Sequence, residues 1–335
     1  MNLKATLQAL CAIPAVSGFE PGAADAIRRL FSPFCSDFFS TLAGSHIGLR
    51  RCGKPGAPLL LIDGHLDQIG GHVTKIEDGF VYFTGNFDRR ALTGKELVIY
   101  GRQPLRGITG TTQKDTEETG EMEDFFIDPG LDPHTVKMLV RPGDQITHAP
   151  EFTVLSGGYV CAPSIDDRAA LAAGLYALDA LRDEPLAVDV ALCASAGEEV
   201  GGAGARTAAF SLRPDYAVAI DVTFASQPGA DGEEMLRDDV GVTIARGPHM
   251  NRALTARLFA LANREKISHG IEVEAGNTGT NTSSIRLAGD GVACALLGLP
   301  MRSMHTCAEC IRLSNIEAAG QLLAALIREL GEILP

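Results

Sequence analysis

Residues 166–199 read DDRAALAAGLYALDALRDEPLAVDVALCASAGEE, and this stretch decides the fold class. Residues 166–181 are Ala/Leu-rich, with Leu171, Leu175 and Leu178 spaced along one helical face. Residues 186–194 then read as a strand. The alternation continues downstream. Residues 216–221 and 292–299 are apolar strand-like runs, and 253–266 has a helical pattern. A closing helix over 315–330 places Ile316, Leu323, Leu326, Ile327 and Leu330 on one side. Strands alternating with helices predict an α/β fold with a mostly parallel sheet and helices on both faces.

Upstream, residues 1–65 read as a helix, a turn at Ser17-Gly18, a second helix near 23–31, and strands ending at His65. From residue 68 the character changes to short alternating runs punctuated by Gly, Pro and Asp. Residues 73–76 and 80–83 flank Glu77-Asp78-Gly79 and predict a hairpin. Residues 97–100 form another strand. Residues 109–123 are polar and acidic and read as an exposed loop, and 128–142 has room for one short helix. The expected organisation is a catalytic domain from residues 1–67 and 153–335, with a small β-rich domain inserted over 68–152.

Composition narrows the function classes. The chain has 335 residues, 45% hydrophobic and 21% charged, which is ordinary for a globular protein with a sizeable core. A formal net charge of −13 without a Lys/Arg cluster gives phosphate no electrostatic welcome, so nucleic acid is not an expected partner. The absence of Trp and the presence of five Tyr argue against a base-stacking surface. Eight cysteines are scattered, and Cys193 and Cys294 sit inside apolar stretches, which fits a reducing compartment. The Cys307–Cys310 CxxC has no partner pair and reads as incidental. The N-terminus lacks a secretion-type charged and hydrophobic block, and no apolar run reaches membrane-spanning length. A soluble, cytoplasmic protein without membrane association is expected.

Five metal-ligand-type side chains stand where apolar runs end or a helix begins: His65, Asp166, Glu199, Asp221 and His305. Strand C-termini of an open α/β sheet converge on one crevice. Two histidines and three carboxylates gathered there suit two divalent ions bridged by a carboxylate. Each residue also has a plainer reading. His65 could be a surface histidine at a capped strand end, although Asp67 is placed to orient its ring. Asp166 and Asp167 could be first-turn residues favoured by the helix dipole. Asp221 could be a turn residue, and His305 a hydrogen-bonded buried histidine. Glu198-Glu199 is harder to explain that way. Two adjacent buried carboxylates are costly without a positive partner. A metal would provide that partner, with one Glu ligating and the other taking a proton from water.

Taken in order, Gly64-His65-Leu66-Asp67-Gln68-Ile69-Gly70, Ile165-Asp166-Asp167-Arg168, Glu198-Glu199-Val200-Gly201 and the stretch from Ala288 to His305 resemble the tetrahedral aminopeptidase family. That family also includes glutamyl and deblocking aminopeptidases and proteins once labelled endoglucanases. Ile13-Pro14, Ser17-Gly18-Phe19-Glu20, Phe126-Ile127-Asp128-Pro129-Gly130 and Pro142-Gly143-Asp144 extend the likeness over nearly the whole chain. The resemblance implies a catalytic α/β domain with a β-barrel-like insert. It implies that His65 and Asp221 hold one ion, that Glu199 and His305 hold the other, and that Asp166 bridges them beside a cis peptide to Asp167. Glu198 would be the general base and Asp67 would orient His65. The implied activity is removal of N-terminal residues from peptide substrates by a homo-oligomer, from dimer to dodecamer. Two divalent ions per subunit are implied, with zinc, cobalt and manganese all compatible with N/O ligation. Gln68 stands where the family usually has Glu, and Asn281 where it has Asp. Two other functions compete. One is a related metallo-amidohydrolase acting on N-acylated amino acids. The other is a catalytically silent metal-binding scaffold, against which the intact Glu198 argues.

Overall fold

A computed structural model describes residues 1–112, 121–229 and 236–333. Helices α1 (Leu3–Cys11) and α2 (Ala24–Phe31) lead into β1 (Asp37–Ser40), β2 (His46–Arg50) and β3 (Leu59–His65). The next strands are β4 (Gly71–Glu77), β5 (Phe80–Gly85), β6 (Glu96–Tyr100), β7 (Pro104–Thr111) and β8 (Phe125–Asp128), followed by α3 (Pro133–Leu139) and β9 (Gln145–His148). Then come β10 (Thr153–Val154), β11 (Tyr159–Ala162), α4 (Ile165–Ala180), β12 (Asp189–Ser195), α5 (Ala203–Leu212), β13 (Tyr216–Phe224), β14 (Val242–Arg246) and α6 (Arg252–Arg264). The chain continues through β15 (His269–Val273), α7 (Thr282–Ile285), β16 (Ala293–Arg302), β17 (Glu309–Arg312) and α8 (Leu313–Ile333).

The large sheet runs β1-β2-β12-β3-β13-β16-β17-β11-β10, with β14 and β15 branching from β16. Its centre, β12-β3-β13-β16, is parallel. Antiparallel strands widen it on both sides. The central strands are buried on both faces, as Leu60-Leu61-Ile62 and Val190-Ala191-Leu192 show, because helices cover both sides. One core lies under α1, α2, α4, α6 and α8. The other lies under α5 and α7 and includes Ala205, Ala208 and Ile285.

Helix α4 is buried on nearly every side rather than along the single Leu171/Leu175/Leu178 face. The reason is that α1 and α8 pack over it while β3 lies beneath. Gly64 permits the closest approach, since a Cβ there would lie 2.6 Å from the Ala170 Cβ. The start of α4 is thereby pressed against the end of β3, beside His65.

Strands β4 to β9 close into a barrel in the order β4-β5-β8-β7-β6-β9. Its interior holds Val81, Phe83, Leu97, Ile99, Phe125, Ile127 and Ile146. The hairpin turns at Asp78-Gly79, both with positive φ. Thr109 is not in a loop: it lies within β7, buried, and its hydroxyl bonds the carbonyls of Leu92 and Lys95. Of the acidic stretch expected to be a loop, residues 113–120 lie outside the described residues.

Candidate active site

The parallel strands deliver the chemistry to one edge. His65 ends β3, Glu198 and Glu199 follow β12, and Asp166 stands at the start of α4. His305 sits in the turn between β16 and β17 with φ +61°. Asp221 does not close its strand, because β13 continues to Phe224 in register with β16, setting Asp221 opposite Gly298. Its flanks, Ile220 and Val222, point to the other side of the sheet.

All five ligand-type residues meet. The two oxygens of Asp166 face different histidines: Oδ1 is 2.9 Å from His65 Nε2 and Oδ2 is 3.1 Å from His305 Nε2. Asp221 Oδ1 lies 3.9 Å from His65 Nε2, and Glu199 Oε1 lies 3.7 Å from His305 Nε2. Two groups, His65/Asp166/Asp221 and Asp166/Glu199/His305, each bring their ligand atoms within 4.8 Å of one another. Asp166 belongs to both. The Asp166–Asp167 peptide is cis. Neither Asp side chain caps α4: the Asp166 oxygens face His65 and His305, and Asp167 Oδ2 accepts the His65 N–H.

The electrostatics of this cluster are those of a site short of positive charge. Burial opposes charge on Asp166, but hydrogen bonds from His305 and His65 outweigh it and hold its carboxyl below the usual range. Burial, and then the Asp166 charge against the pull of His65, pushes Asp221 well above its ordinary value. Burial likewise lifts Glu199 to about 7. The Glu199 Oε1 is buried and accepts no hydrogen bond from any described residue. Burial also disfavours the His65 imidazolium, yet hydrogen bonding to Asp166 and Asp67 raises its pKa well above normal. Burial disfavours negative charge on Asp221 and Glu199, a cost that divalent cations would offset, and the His nitrogen and carboxylate oxygen donors fit hard or borderline metal ions.

Buried carboxylates hold the ligand-bearing segments by their main chains. Asp67 Oδ1 accepts the Glu198 N–H at 3.0 Å, and Oδ2 accepts the Glu199 N–H at 3.1 Å and the Ser17 hydroxyl at 2.7 Å. The His65 ring is held differently from expectation: its Nδ1 is 3.0 Å from the Asp67 carbonyl oxygen and 3.6 Å from the carboxylate. Asp167 Oδ2 accepts the His65 N–H at 3.1 Å. Glu309, which residue patterns did not single out, accepts the N–H groups of Asp166 and His305. A lone charge inside Cys307-Ala308-Glu309-Cys310-Ile311 was its available signal.

The two unusual positions also have partners. Gln68 Oε1 accepts from the fully buried Arg168 at 3.4 Å. Asn281 Nδ2 donates to Asp63 Oδ2 and Ser195 Oγ, each at 2.9 Å, beneath the site. A carboxylate at 281 would face Asp63 instead of donating to it.

The cluster opens into a cleft of about 900 Å³ lined by Glu198, Glu199, Asp221, Thr223, Phe224, Glu272 and the 277–280 segment, among others. No lysine or arginine is among the described residues that line it. No helix of the described residues is long and apolar enough to cross a membrane.

The chain as a whole is similar in sequence and fold to several aminopeptidases. Lysyl aminopeptidase of Pyrococcus furiosus is 28% identical over 95% of this chain and 94% of its own length. An aminopeptidase from the archaeon Desulfurococcus kamchatkensis superposes with a TM-score of 0.89 at 29% identity, covering 98% of this chain and 94% of that one. The TET1 peptidase of Pyrococcus horikoshii gives a TM-score of 0.85 at 26% identity, covering 98% and 100%. The family model described as M42 glutamyl aminopeptidase matches residues 44–322. The chain therefore belongs to the M42 glutamyl aminopeptidase family and is a peptide hydrolase.

Proposed function

We propose that this chain removes N-terminal residues from peptides at a site built for two divalent ions. His65, Asp166 and Asp221 would hold one ion, and Asp166, Glu199 and His305 the other. The observation that carries the reading is the division of Asp166 between two histidines, one oxygen to each. When bound, the ions would supply polarisation of the scissile carbonyl and acidification of the attacking water. Zinc is the first choice for this N/O donor set, with cobalt and manganese as alternatives.

Glu198 is the general base of this mechanism. It lines the cleft, and burial raises its pKa above the ordinary value, which suits a group that must accept and return a proton. It takes a proton from water as the water oxygen bonds to the peptide carbonyl carbon. It then returns that proton to the departing nitrogen as the C–N bond breaks. Asp67 supports it by fixing the Glu198 and Glu199 amides, which separates the base from the ligand next to it. Carboxylates along the cleft offer a free N-terminal ammonium group favourable ground, which favours chain ends over N-acylated substrates.

The catalytic unit in this reading comprises residues 1–67 and 153–335, with the barrel inserted over 68–152. Likeness to a TET1 peptidase that assembles into a tetrahedron or a large octahedral shell supports a homo-oligomer. The test of the chemistry is Glu198→Gln with aminoacyl-anilide and N-acyl substrates, with ion content measured on the same sample. The reading expects kcat on the free-amine substrate to fall by about 10²- to 10⁴-fold at unchanged ion content. Near-native turnover would remove Glu198 from the role of base, and a preference for N-acyl substrates would replace the aminopeptidase reading.

A further inference from the structure

We infer that Glu309 is a positioning residue that sets Asp166 and His305 relative to each other through their main-chain amides. The inference rests on the two-ion reading above and extends it to a residue outside the ligand set. Glu309 opens β17 and is fully buried. Its Oε2 accepts the Asp166 N–H at 3.0 Å, and its Oε1 accepts the His305 N–H at 3.0 Å. One rigid, planar carboxylate thus spans the shared ligand and the histidine that faces it.

Apart from the 3.1 Å approach of Asp166 Oδ2 to His305 Nε2, these two residues come from separate parts of the fold. Asp166 begins α4, and His305 lies in a turn whose φ of +61° side chains rarely adopt. Register brings the anchor to them: Glu309 pairs with Ala162 on β11, the strand that leads into α4. Both hydrogen bonds have ordinary N–H···O length. A buried carboxylate is nonetheless expensive beside other acids. A single planar group that accepts from both amides fixes the spacing of the two ligand-bearing segments, as supporting hydrogen bonds do for metal ligands.

The experiment is a titration of the metal-depleted full chain with Zn²⁺ against a chromophoric chelator, paired with the visible spectrum of the Co²⁺ form. Glu309→Gln keeps the size but turns one acceptor oxygen into a donor, so one amide loses its partner. The expected result is ion affinity weakened by about 10- to 100-fold with an altered Co²⁺ spectrum, in a chain that still unfolds cooperatively when metal-free. Glu309→Asp keeps the carboxyl but shortens the reach, and should show a comparable loss. Wild-type affinity and spectrum in either variant overturns the inference. If Glu309→Gln does not fold, Glu309→Asp decides alone. A wild-type chain that binds no ion would instead overturn the two-ion reading itself, so the two failures are distinguishable.

Discussion

The closed barrel and the ligand-bearing edge of the large sheet bury polar groups in opposite ways. The barrel interior is almost wholly apolar, and its buried Thr109 is satisfied by neighbouring carbonyls. The sheet edge buries Asp63, Asp67, Asp166, Asp167, Asp221 and Glu309 within one neighbourhood. Like charges gathered this way weaken a fold unless something positive joins them. The contrast separates the region that stabilises from the region kept for chemistry, where a local departure from packing rules is expected.

The largest effect that would sharpen this contrast comes from the barrel. Phe83 is 2% exposed, and Phe83→Ala should cost about 3–5 kcal/mol of stability through lost burial and a cavity. Denaturant unfolding should register that loss while ion affinity of the folded chain stays native. A parallel fall in ion affinity would break the separation.

A smaller, pH-dependent effect belongs to His148, the barrel's exception. Neither ring nitrogen has a hydrogen-bond partner among the described residues, and Phe87 packs edge-on at 5.0 Å. Burial, reinforced by Lys95, lowers its pKa from 6.5 to about 4. The unfolded chain takes up a proton near pH 6.5, whereas the folded barrel resists until about pH 4. Stability from this group is therefore complete above pH 6.5 and is lost as pH falls towards 4, by about 3 kcal/mol in all. The check is the difference in stability between the wild type and His148→Leu across that window. Parallel curves would contradict the assignment.

The smallest change is at the sheet edge. Asn281→Asp is nearly isosteric but replaces the donor to Asp63 and Ser195 with a second carboxylate. An expected cost of about 1–3 kcal/mol should appear in thermal unfolding, with ligand residues untouched. A neutral or stabilising result would mean that position 281 readily accommodates the acid usual in the family.

Much of this was legible in residue order. Helix–strand alternation announces the α/β sheet, and side-chain chemistry picks out the five ligand-type residues that the fold brings together. Other features leave no such trace. The extension of β13 past Asp221 follows from register with β16, which one strand's residues do not reveal. Burial of α4 on nearly every side comes from α1 and α8, both distant in sequence. Glu309 acts on main-chain amides, which every residue but proline carries, so no pattern of side-chain types marks its targets. Asp67 shows the same limit: its spacing from His65 implies an orienting role, yet its carboxylate engages the Glu198 and Glu199 amides more closely than the ring.

The central claim is that Asp166 is shared between two ions, and counting divalent ions per chain at saturation tests it most directly. The account predicts two for the wild type, one for His305→Ala, and fewer than one for Asp166→Asn, all measured on folded protein. A single ion in the wild type, or two ions retained by Asp166→Asn, would contradict it.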